Sequence, residues 1–479
     1  KSFSWSFLLA AVDFPILGAD FLSHFGLIVD LQKGTVLEAS TLKIFPIAPA
    51  DSEAPAPHGL FAAVASAAPK YRALLGRFQD VACSSKVLPS AKHGVLHHIE
   101  TVGRPCFSHF RRLDPAKLAD AKAEFAEMEK QGIVRRSNSP WASPLHMVLK
   151  KDGSWRPCGD YRLLNLATEA DKYPLPNMAD VSFGLHGKKI FSKIDLRKGY
   201  WQIPVNPQDI PKTAVITPFG LFEFLRMPFG LKNAGMTFQR LMDHVFANMP
   251  FVFVYLDDIL IASRTDEEHV EHVALVLEQL RKFGLVINAD KCEFGVSTVE
   301  FLGHVISEHG ATPQVRHVEA IVSFKAPSDQ KGLMRFLGLL NFYRKFIANA
   351  ALILLPLTEA LKGGPRAPWV WTEDMQQSFM AAKAALLRVV VLVHPVPNAE
   401  LCLAVDASDS HVGAVLHQCS GNMPSWQPLG FFSQKLNSAE KGYAAFDREL
   451  LAIKKGIEHF RFMLEAVSYT HLRAHETKA

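Results

Sequence analysis

Two apolar runs of strand length enclose a pair of adjacent carboxylates, and this pattern constrains the fold more than any other feature of the chain. The runs cover 251–256 and 259–262, and Asp257 and Asp258 lie between them. Neighbouring carboxylates repel each other, and burying either one without a counter-charge costs several kcal/mol. A divalent cation removes that cost, and carboxylate oxygens favour Mg²⁺ or Mn²⁺. The alternative interpretation is a solvated Asp-Asp turn.

A third carboxylate, Asp195, ends another predicted strand at 190–196. A carboxylate at the end of a neighbouring strand is what a two-metal site requires, since two ions held together activate a hydroxyl and stabilise a leaving pyrophosphate. We therefore expect Asp195 to lie beside Asp257 and Asp258. The sequence separation of 62 residues (257 − 195) makes this contact an assumption at this point.

The remaining pattern is typical of an α/β protein. From 140 to about 265, short apolar strands alternate with helical segments. Asp114 followed by Pro115 predicts the start of an amphipathic helix. Further elements are predicted downstream, namely a helix at 266–290, a helical subdomain at 313–362, a helix at 372–387, a strand at 401–405 with a hairpin partner at 414–417, and a helix at 438–464.

Composition excludes several classes of protein. With 48% hydrophobic and 21% charged residues the chain is of ordinary globular composition, and its net charge of +5 excludes a uniformly basic coat. However, 104–162 contains 12 Lys/Arg against 7 Asp/Glu, a local excess suited to phosphates. The six cysteines are scattered without a C-x-x-C pair, which favours a reducing compartment. No run approaches the ~18 apolar residues of a membrane helix.

Two histidine patterns indicate no metal site. His269 and His272 follow three acids but lack the H-E-x-x-H spacing of a zinc helix, so a solvated helix start is predicted there. His97 and His98 have no partner cluster and are predicted at the surface.

From about 97 to 464 the chain resembles the reverse transcriptase–RNase H region of gypsy-type (Metaviridae) LTR retrotransposon pol polyproteins. The resemblance is carried by an ordered set of motifs: SPWASPLHMVLKKDGSWRPCGDYRLLN (139–165), YPLP (173–176), IFSKIDLRKGYWQI (190–203), KTAVITPFGLFEFLRMPFGLKNAGMTFQR (212–240), YLDDIL (255–260), KCEFG (291–295), FLGH (301–304) and FLGLLNFYRKFI (336–347).

The resemblance implies an α/β (α+β) fold, a right-hand polymerase with fingers, palm and thumb followed by a partial RNase H-like α/β domain. The implied divisions are 1–45 (C-terminal remnant of a retroviral-type aspartic protease), 46–92 (Pro/Ala-rich linker), 93–270 (fingers and palm), 271–365 (thumb and connection), 366–466 (truncated RNase H-like domain) and 467–479 (atypical tail).

It also implies residue roles in the polymerase. The catalytic and metal-binding residues would be Asp195, Asp257 and Asp258, with Asp258 the least directly coordinating, around two Mg²⁺ ions or alternatively Mn²⁺. The residues implied to bind or line the incoming nucleotide are Lys150, Lys151, Arg156, Tyr200 (the aromatic gate) and Phe229. The residues implied to position the primer are Phe301, Leu302, Gly303 and His304. The alternatives are a core tyrosine for Tyr200 and solvated hairpin charges for the lysines.

In the RNase H-like region, Asp406 and Glu449 match the first two acidic, metal-binding catalytic positions of the family. Phe446, Leu450 and Ile453 are predicted to form the buried stripe of the helix, with Glu449 at its border. Relatives carry a third aspartate on a strand soon after this helix, and no aspartate follows Asp447 here. RNase H activity is therefore predicted to be absent.

The N-terminal segment resembles the last strands of a retroviral-type aspartic protease. No Asp-Thr/Ser-Gly triplet occurs in the chain, so protease activity is not expected. Because the sequence begins with Lys1, we expect that it starts inside a longer reading frame.

The expected function is that of an RNA-directed DNA polymerase of an LTR retrotransposon. Its partners would be an RNA or DNA template with a primer and dNTPs, with no membrane. It would act in the cytoplasm within a retroelement particle, with a dimer or larger assembly left open. The alternative is a decayed or co-opted relic that binds nucleic acid without catalysis.

Overall fold

The structure is a computed structural model. It describes residues 24–25, 27–30, 35–38, 44–46, 68–82, 88–150, 153, 155–362, 369–419, 425–465 and 470–472. The chain divides into two compact units, 1–58 and 59–479. The first unit contains an antiparallel sheet in the order β1 (Leu27–Asp30), β2 (Thr35–Glu38), β3 (Ile44–Pro46). The strands predicted before residue 24 lie outside the described residues, and the assignment of 1–45 to a protease remnant stays a prediction.

The second unit alternates strands and helices, as the α/β prediction requires. Its helices are α1 (Pro69–Arg77), α2 (Gln79–Ala82), α3 (Pro115–Lys130), α4 (Arg162–Ala167), α5 (Met178–Gly184), α6 (Ala234–Val245), α7 (Asp266–Phe283), α8 (Val315–Val322), α9 (Gln330–Phe342), α10 (Ala350–Ile353), α11 (Leu355–Glu359), α12 (Glu373–Leu387), α13 (Ser438–Lys441) and α14 (Ala445–Leu464).

The strands of the second unit are β4 (Val134–Arg136), β5 (Ser143–Leu149), β6 (Trp155–Gly159), β7 (Ile190–Asp195), β8 (Val215–Thr217), β9 (Gly220–Phe224), β10 (Val252–Tyr255), β11 (Asp258–Ser263), β12 (Glu293–Val296), β13 (Thr298–Phe301), β14 (His304–Ser307), β15 (Gly310–Pro313), β16 (Glu400–Ala407), β17 (His411–Cys419), β18 (Gln427–Lys435) and β19 (Thr470–Leu472).

The prediction of a linker over 46–92 is wrong at Pro69–Arg77 and Gln79–Ala82, because these residues form the packed helices α1 and α2. Tyr71, Leu74 and Leu75 are spaced i, i+3, i+4 and are buried in the main core. The guanidinium of Arg281, on α7, donates to both carboxylate oxygens of Asp80 at 2.8 and 2.6 Å. Apolar burial and this ion pair attach the segment to α7. Residues 47–67 lie outside the described residues.

A five-stranded sheet, in the order β4-β9-β8-β5-β6, forms the N-terminal part of the second unit. Helix α3 begins as predicted, since the Asp114 carboxylate accepts a hydrogen bond from the Lys117 amide at 2.9 Å and Pro115 occupies the first helical position. Phe125 and Met128 of this helix are buried.

The second sheet has the order β10-β11-β7-β12 and carries the acidic segments. Alternate residues of β11 enter different cores: Ile259 and Ile261 lie in the main core with α6 and α7, whereas Leu260 and Ala262 pack on the other face. A strand covered on both faces requires a continuous apolar run, which accounts for the sequence pattern. Helix α7 ends at 283 rather than the predicted 290 because Gly284 adopts a left-handed conformation (φ 70°).

The C-terminal part contains the predicted helical region followed by a four-stranded sheet. That sheet has the order β18-β17-β16-β19, with β19 parallel to β16. The helix predicted over 438–464 is divided into α13 and α14, between which Gly442 to Ala444 are not helical. Among the described residues of 467–479, Thr470–Leu472 form β19; the other residues of that tail lie outside the described ranges.

Candidate functional site

The three polymerase aspartates converge, as the sequence analysis assumed. Strands β7 and β11 are antiparallel neighbours in a register that places Asp195 directly opposite Asp258. Asp257 lies in the two-residue turn between β10 and β11, since Tyr255 pairs with Asp258. Residues directly opposite in an antiparallel pair have Cβ atoms roughly 5 Å apart. Sheet pairing alone therefore brings the carboxylates together.

The turn that presents Asp257 is strained and is held by a buried glutamine. Leu256 has φ 53°, in the left-handed region that a branched side chain rarely adopts. Its amide donates to Gln239 Oε1 at 2.8 Å, and the Gln239 amide group donates to Asp243 at 2.9 Å. The Gln239 side chain is completely buried. The hydrogen bond therefore satisfies the amide of the strained turn.

The sequence analysis assigned no role to Gln239. The available signal was helical periodicity. Gln239 precedes Met242 by three residues and follows Gly235 by four, which places it on the buried side of α6.

Burial raises the pKa of the Asp195 and Asp257 carboxyls above their usual range. In each case repulsion from neighbouring aspartates acts in the same direction, and Lys193 and Lys291 oppose it. Burial is therefore the main reason why the charged forms of these two carboxyls are disfavoured. Within the described ranges, no group of three or more His, Cys, Asp or Glu side chains is already arranged around a common metal position.

Beside the aspartates, the predicted nucleotide residues form a continuous row. The ring of Tyr200 stacks on Phe229 with centroids 5.0 Å apart, and the guanidinium carbon of Arg156 lies 5.0 Å from the Phe229 centroid. The Asp257 charge and, above all, burial raise the pKa of Tyr200. Gly235 lies beside this row, since a Cβ there would be in ordinary contact with the Leu256 side chain at 3.4 Å and the Tyr200 hydroxyl at 3.9 Å.

The two predicted lysines are placed differently. Lys150 is exposed at the tip of the β5–β6 hairpin, where its carbonyl accepts from Gly153 at 3.1 Å. Lys151 lies outside the described residues. The row from Asp257 to Arg156 is thus a half-buried surface that begins at the carboxylates and ends at an exposed cation.

Comparison with known protein families shows which domains this chain contains. The profile of the family described as "Reverse transcriptase (RNA-dependent DNA polymerase)" matches residues 148–306, which include the three aspartates, Tyr200 and Arg156. Residues 148–306 form a reverse transcriptase domain. A second profile, "RNase H-like domain found in reverse transcriptase", matches residues 371–471.

The relatives confirm the predicted resemblance to retrotransposon pol polyproteins. The Transposon Tf2-3 polyprotein of Schizosaccharomyces pombe is 38% identical over 356 residues, covering 74% of this chain and 26% of the polyprotein. The retrovirus-related Pol polyprotein from transposon 297 of Drosophila melanogaster is 36% identical over 405 residues, covering 82% of this chain and 37% of the polyprotein. The chain thus spans between a quarter and two fifths of the length of these relatives.

Solved structures confirm the predicted polymerase fold with a following RNase H-like region. The foamy viral protease–reverse transcriptase in complex with dsDNA has a TM-score of 0.77 at 20% identity and covers 85% of this chain and 84% of its own. The same viral enzyme in complex with an RNA/DNA hybrid has a TM-score of 0.75 at 20% identity, covering 86% and 55%.

In this domain the residues predicted to position the primer form the β13–β14 turn, but two of the four face inward. Phe301 and His304 are buried, with exposures of 1% and 2%. His304 Nδ1 lies 2.9 Å from the Leu302 carbonyl oxygen. Leu302 and Gly303, both with positive φ, are half-buried. The role of this turn in positioning a primer stays a prediction.

The RNase H-like acids, Asp406 and Glu449, line one cavity of about 460 Å³. The predicted helix stripe is wrong for Phe446 and Leu450, which are 72% and 49% exposed, whereas Ile453 packs against the core as predicted. The buried residues on the face of α14 that meets the sheet are Ala452, Gly456 and Phe460. Glu449 precedes Ala452 by three residues, about one helical turn, so both lie on the side of α14 that faces the sheet.

None of the helices in the described ranges combines the length and apolar character that crossing a bilayer requires.

Proposed function

We propose that this chain is an RNA-directed DNA polymerase that transfers a nucleotide from a dNTP to the 3′-hydroxyl of a primer. The observation that carries the proposal is the pairing of Asp195 opposite Asp258, with Asp257 in the adjoining turn. Two like charges directly opposite each other in a sheet are destabilising. A catalytic role explains why these carboxylates lie together beside the Tyr200–Phe229 row despite their repulsion.

The residues fit a pair of Mg²⁺ ions, with Mn²⁺ as the alternative. The donors are hard carboxylate oxygens, and burial disfavours their charged forms, a cost that bound cations would offset. Asp195 and Asp257 would hold the ions, with Asp258 alongside. When bound, the ions supply Lewis acidity toward the primer hydroxyl and the triphosphate.

The chain's own residues orient the nucleotide. Arg156 is exposed and can pair with phosphate oxygens through its guanidinium fork, while its position over Phe229 fixes its direction. Tyr200 packs between Phe229 and Phe238, at a centroid distance of 5.3 Å from the latter. A ring clamped on both sides presents a rigid floor under the sugar, which excludes a 2′-hydroxyl.

The proposed macromolecular partner is a template–primer duplex. The foamy viral neighbours are complexes with dsDNA and with an RNA/DNA hybrid, which supports this choice. Binding depends on phosphate neutralisation, so affinity should fall steeply with salt. The proposed place of action is a cytoplasmic retroelement particle, since the relatives are transposon polyproteins.

We also propose that the RNase H-like domain does not cleave RNA. Two carboxylates line its cavity, and β19, the strand beside that of Asp406, consists of Thr470, His471 and Leu472 and carries no carboxylate. Cleavage of an RNA–DNA hybrid by the wild type, lost on Asp406→Asn, would overturn this proposal.

Primer extension on poly(rA)/oligo(dT) with Mg²⁺ tests the polymerase. The wild type should extend the primer, and Asp257→Asn should reduce extension at least ~10³-fold because a metal ligand loses its charge. Asp374→Asn is a matched control, since Asp374 is exposed in the first turn of α12, outside the reverse transcriptase domain. Lack of extension by folded wild-type protein that still binds the duplex would instead support a nucleic-acid-binding relic.

A further inference from the structure

A lysine shares the strand face of the catalytic aspartate. Lys193 precedes Asp195 by two residues on β7, so both side chains project from the same face. Its Nζ lies 3.0 Å from Asp258 Oδ1, and it also donates to the Glu300 carbonyl at 3.3 Å. The two side chains of this ion pair are 22% and 33% exposed, so the contact is partly shielded from solvent. Neither the motif roles nor the nucleotide row uses Lys193.

The sheet register explains why a cation is needed at this position. Asp258 lies opposite Asp195, and Leu260 lies opposite Lys193, so Lys193 reaches Asp258 along the diagonal of the antiparallel pair. Opposed carboxylates repel, and a diagonal lysine offsets that repulsion. The contact also fixes the Asp258 carboxylate beside a cation that is itself held by the Glu300 carbonyl of β13.

The surroundings of Lys193 contain charges of both signs. A cavity of about 560 Å³ beside it is lined by three cations, Lys193, Lys291 and Arg316, and by four acids, Asp195, Asp290, Glu293 and Glu300. The neutralisation of Asp258 therefore rests on its direct ion pair with Lys193 rather than on the net charge of this cavity.

We propose that Lys193 is a positioning residue that neutralises Asp258 and fixes its carboxylate in the ion pair. This inference rests on the proposed polymerase function. On this inference the negative charge that binds the ions comes from Asp195 and Asp257, because Lys193 neutralises Asp258. Loss of Lys193 would release a third carboxylate toward the ions, which would bind the ions more tightly and in a less productive position.

Mn²⁺ binding to the free protein, followed by electron paramagnetic resonance, tests this without requiring turnover. Lys193→Gln should lower the Mn²⁺ dissociation constant at least about threefold, because a nearby positive charge is lost and a carboxylate is released. Lys193→Arg, which keeps the charge, should bind Mn²⁺ as the wild type does. Lys189→Gln removes an equal charge just before β7, where Lys189 pairs with Glu308 at 3.5 Å, and should leave binding unchanged.

A double-mutant cycle separates action through Asp258 from a general charge effect. In an Asp258→Asn background, Lys193→Gln should change Mn²⁺ affinity by less than half of its effect in the wild type. Unchanged or weaker Mn²⁺ binding by Lys193→Gln, or an equal gain in both backgrounds, would overturn the inference. Wild-type primer extension is scored separately, so tighter Mn²⁺ binding without extension would remove the polymerase proposal and leave the role of Lys193 intact.

Discussion

Mild acid should destabilise this protein through three buried histidines. Burial lowers the pKa of His97, His269 and His304 to about 4 in each case. His269 is held between Ser192 and Ser263, at 2.6 and 2.8 Å from their hydroxyls. These histidines are neutral in the folded protein at pH 5, whereas a solvated histidine of pKa 6.5 is protonated there.

The sign and size of the effect follow from the difference in bound protons. Because the folded-state pKa is lowered, the contribution to stability is complete above pH 6.5 and is lost as the pH falls from there toward 4. With pKa values of about 4 and 6.5, each histidine loses roughly 2 kcal/mol of unfolding free energy between pH 7 and pH 5. The three together lose roughly 5 kcal/mol, a large part of the stability of a typical domain.

Urea unfolding at pH 7, 6 and 5 and constant ionic strength measures this loss, with tryptophan fluorescence and circular dichroism as paired probes. The matched variant is His269→Gln, which keeps hydrogen-bonding groups but cannot be protonated. It should be less stable than the wild type at pH 7 and should lose about one third of the pH dependence. Nearby Lys70 and His272 disfavour protonation of His269, and Glu268 favours it, so their charges must be kept.

Equal pH dependence in the wild type and His269→Gln would refute the reasoning for this residue. An unfolding free energy that is constant from pH 7 to pH 5 in the wild type would refute it for all three. The slope with denaturant must stay constant, since a change would indicate that the domains unfold separately.

Three further outcomes are expected. Gln239→Leu should lower kcat about tenfold or more in single-nucleotide extension, with the KM for dNTP nearly unchanged, because the strained turn loses its amide acceptor at a cost of roughly 1–3 kcal/mol; a change in KM alone would contradict this. Arg156→Lys should raise the KM for dNTP several-fold, since lysine lacks both the fork and the stacking on Phe229; equal KM values would place the triphosphate elsewhere. Asp195→Asn should raise the thermal midpoint in EDTA by ~1–3 °C by removing a carboxylate whose charged form is disfavoured by burial; a lower midpoint would show that Lys291 and Lys193 more than offset that cost.

The polymerase site could be predicted from sequence because its residues lie at strand ends. Apolar runs that stop at Asp195 and at Asp257 locate both carboxylates along their strands, and antiparallel pairing then brings them together. Pairing was not visible in the sequence, since it depends on contacts made 62 residues apart (257 − 195). The Lys193 contact was missed for the same reason.

Buried polar residues were the other source of error. His269 was predicted to be solvated and His97 to lie at the surface, yet both are buried, at 0% and 1% exposure. Each has a hydroxyl partner from a distant segment, such as Thr237 Oγ1 at 2.9 Å from His97 Nδ1. A buried histidine is tolerated when its nitrogens are satisfied, and a sequence does not show partners supplied by the fold.

The carboxylates of the two acidic sites are positioned by different structural features. In the polymerase site a one-residue slip between β7 and β11 would turn the carboxylates to opposite faces, so sheet register determines whether they meet. In the RNase H-like region the rotation of α14 determines where Glu449 points. Gly456 sets that rotation, because a Cβ there would lie 3.2–3.3 Å from Ala414, Leu403 and Val405 of the sheet. The close approach of a residue without a side chain, rather than the bulk of the exposed Phe446, therefore directs Glu449 toward the cavity of Asp406.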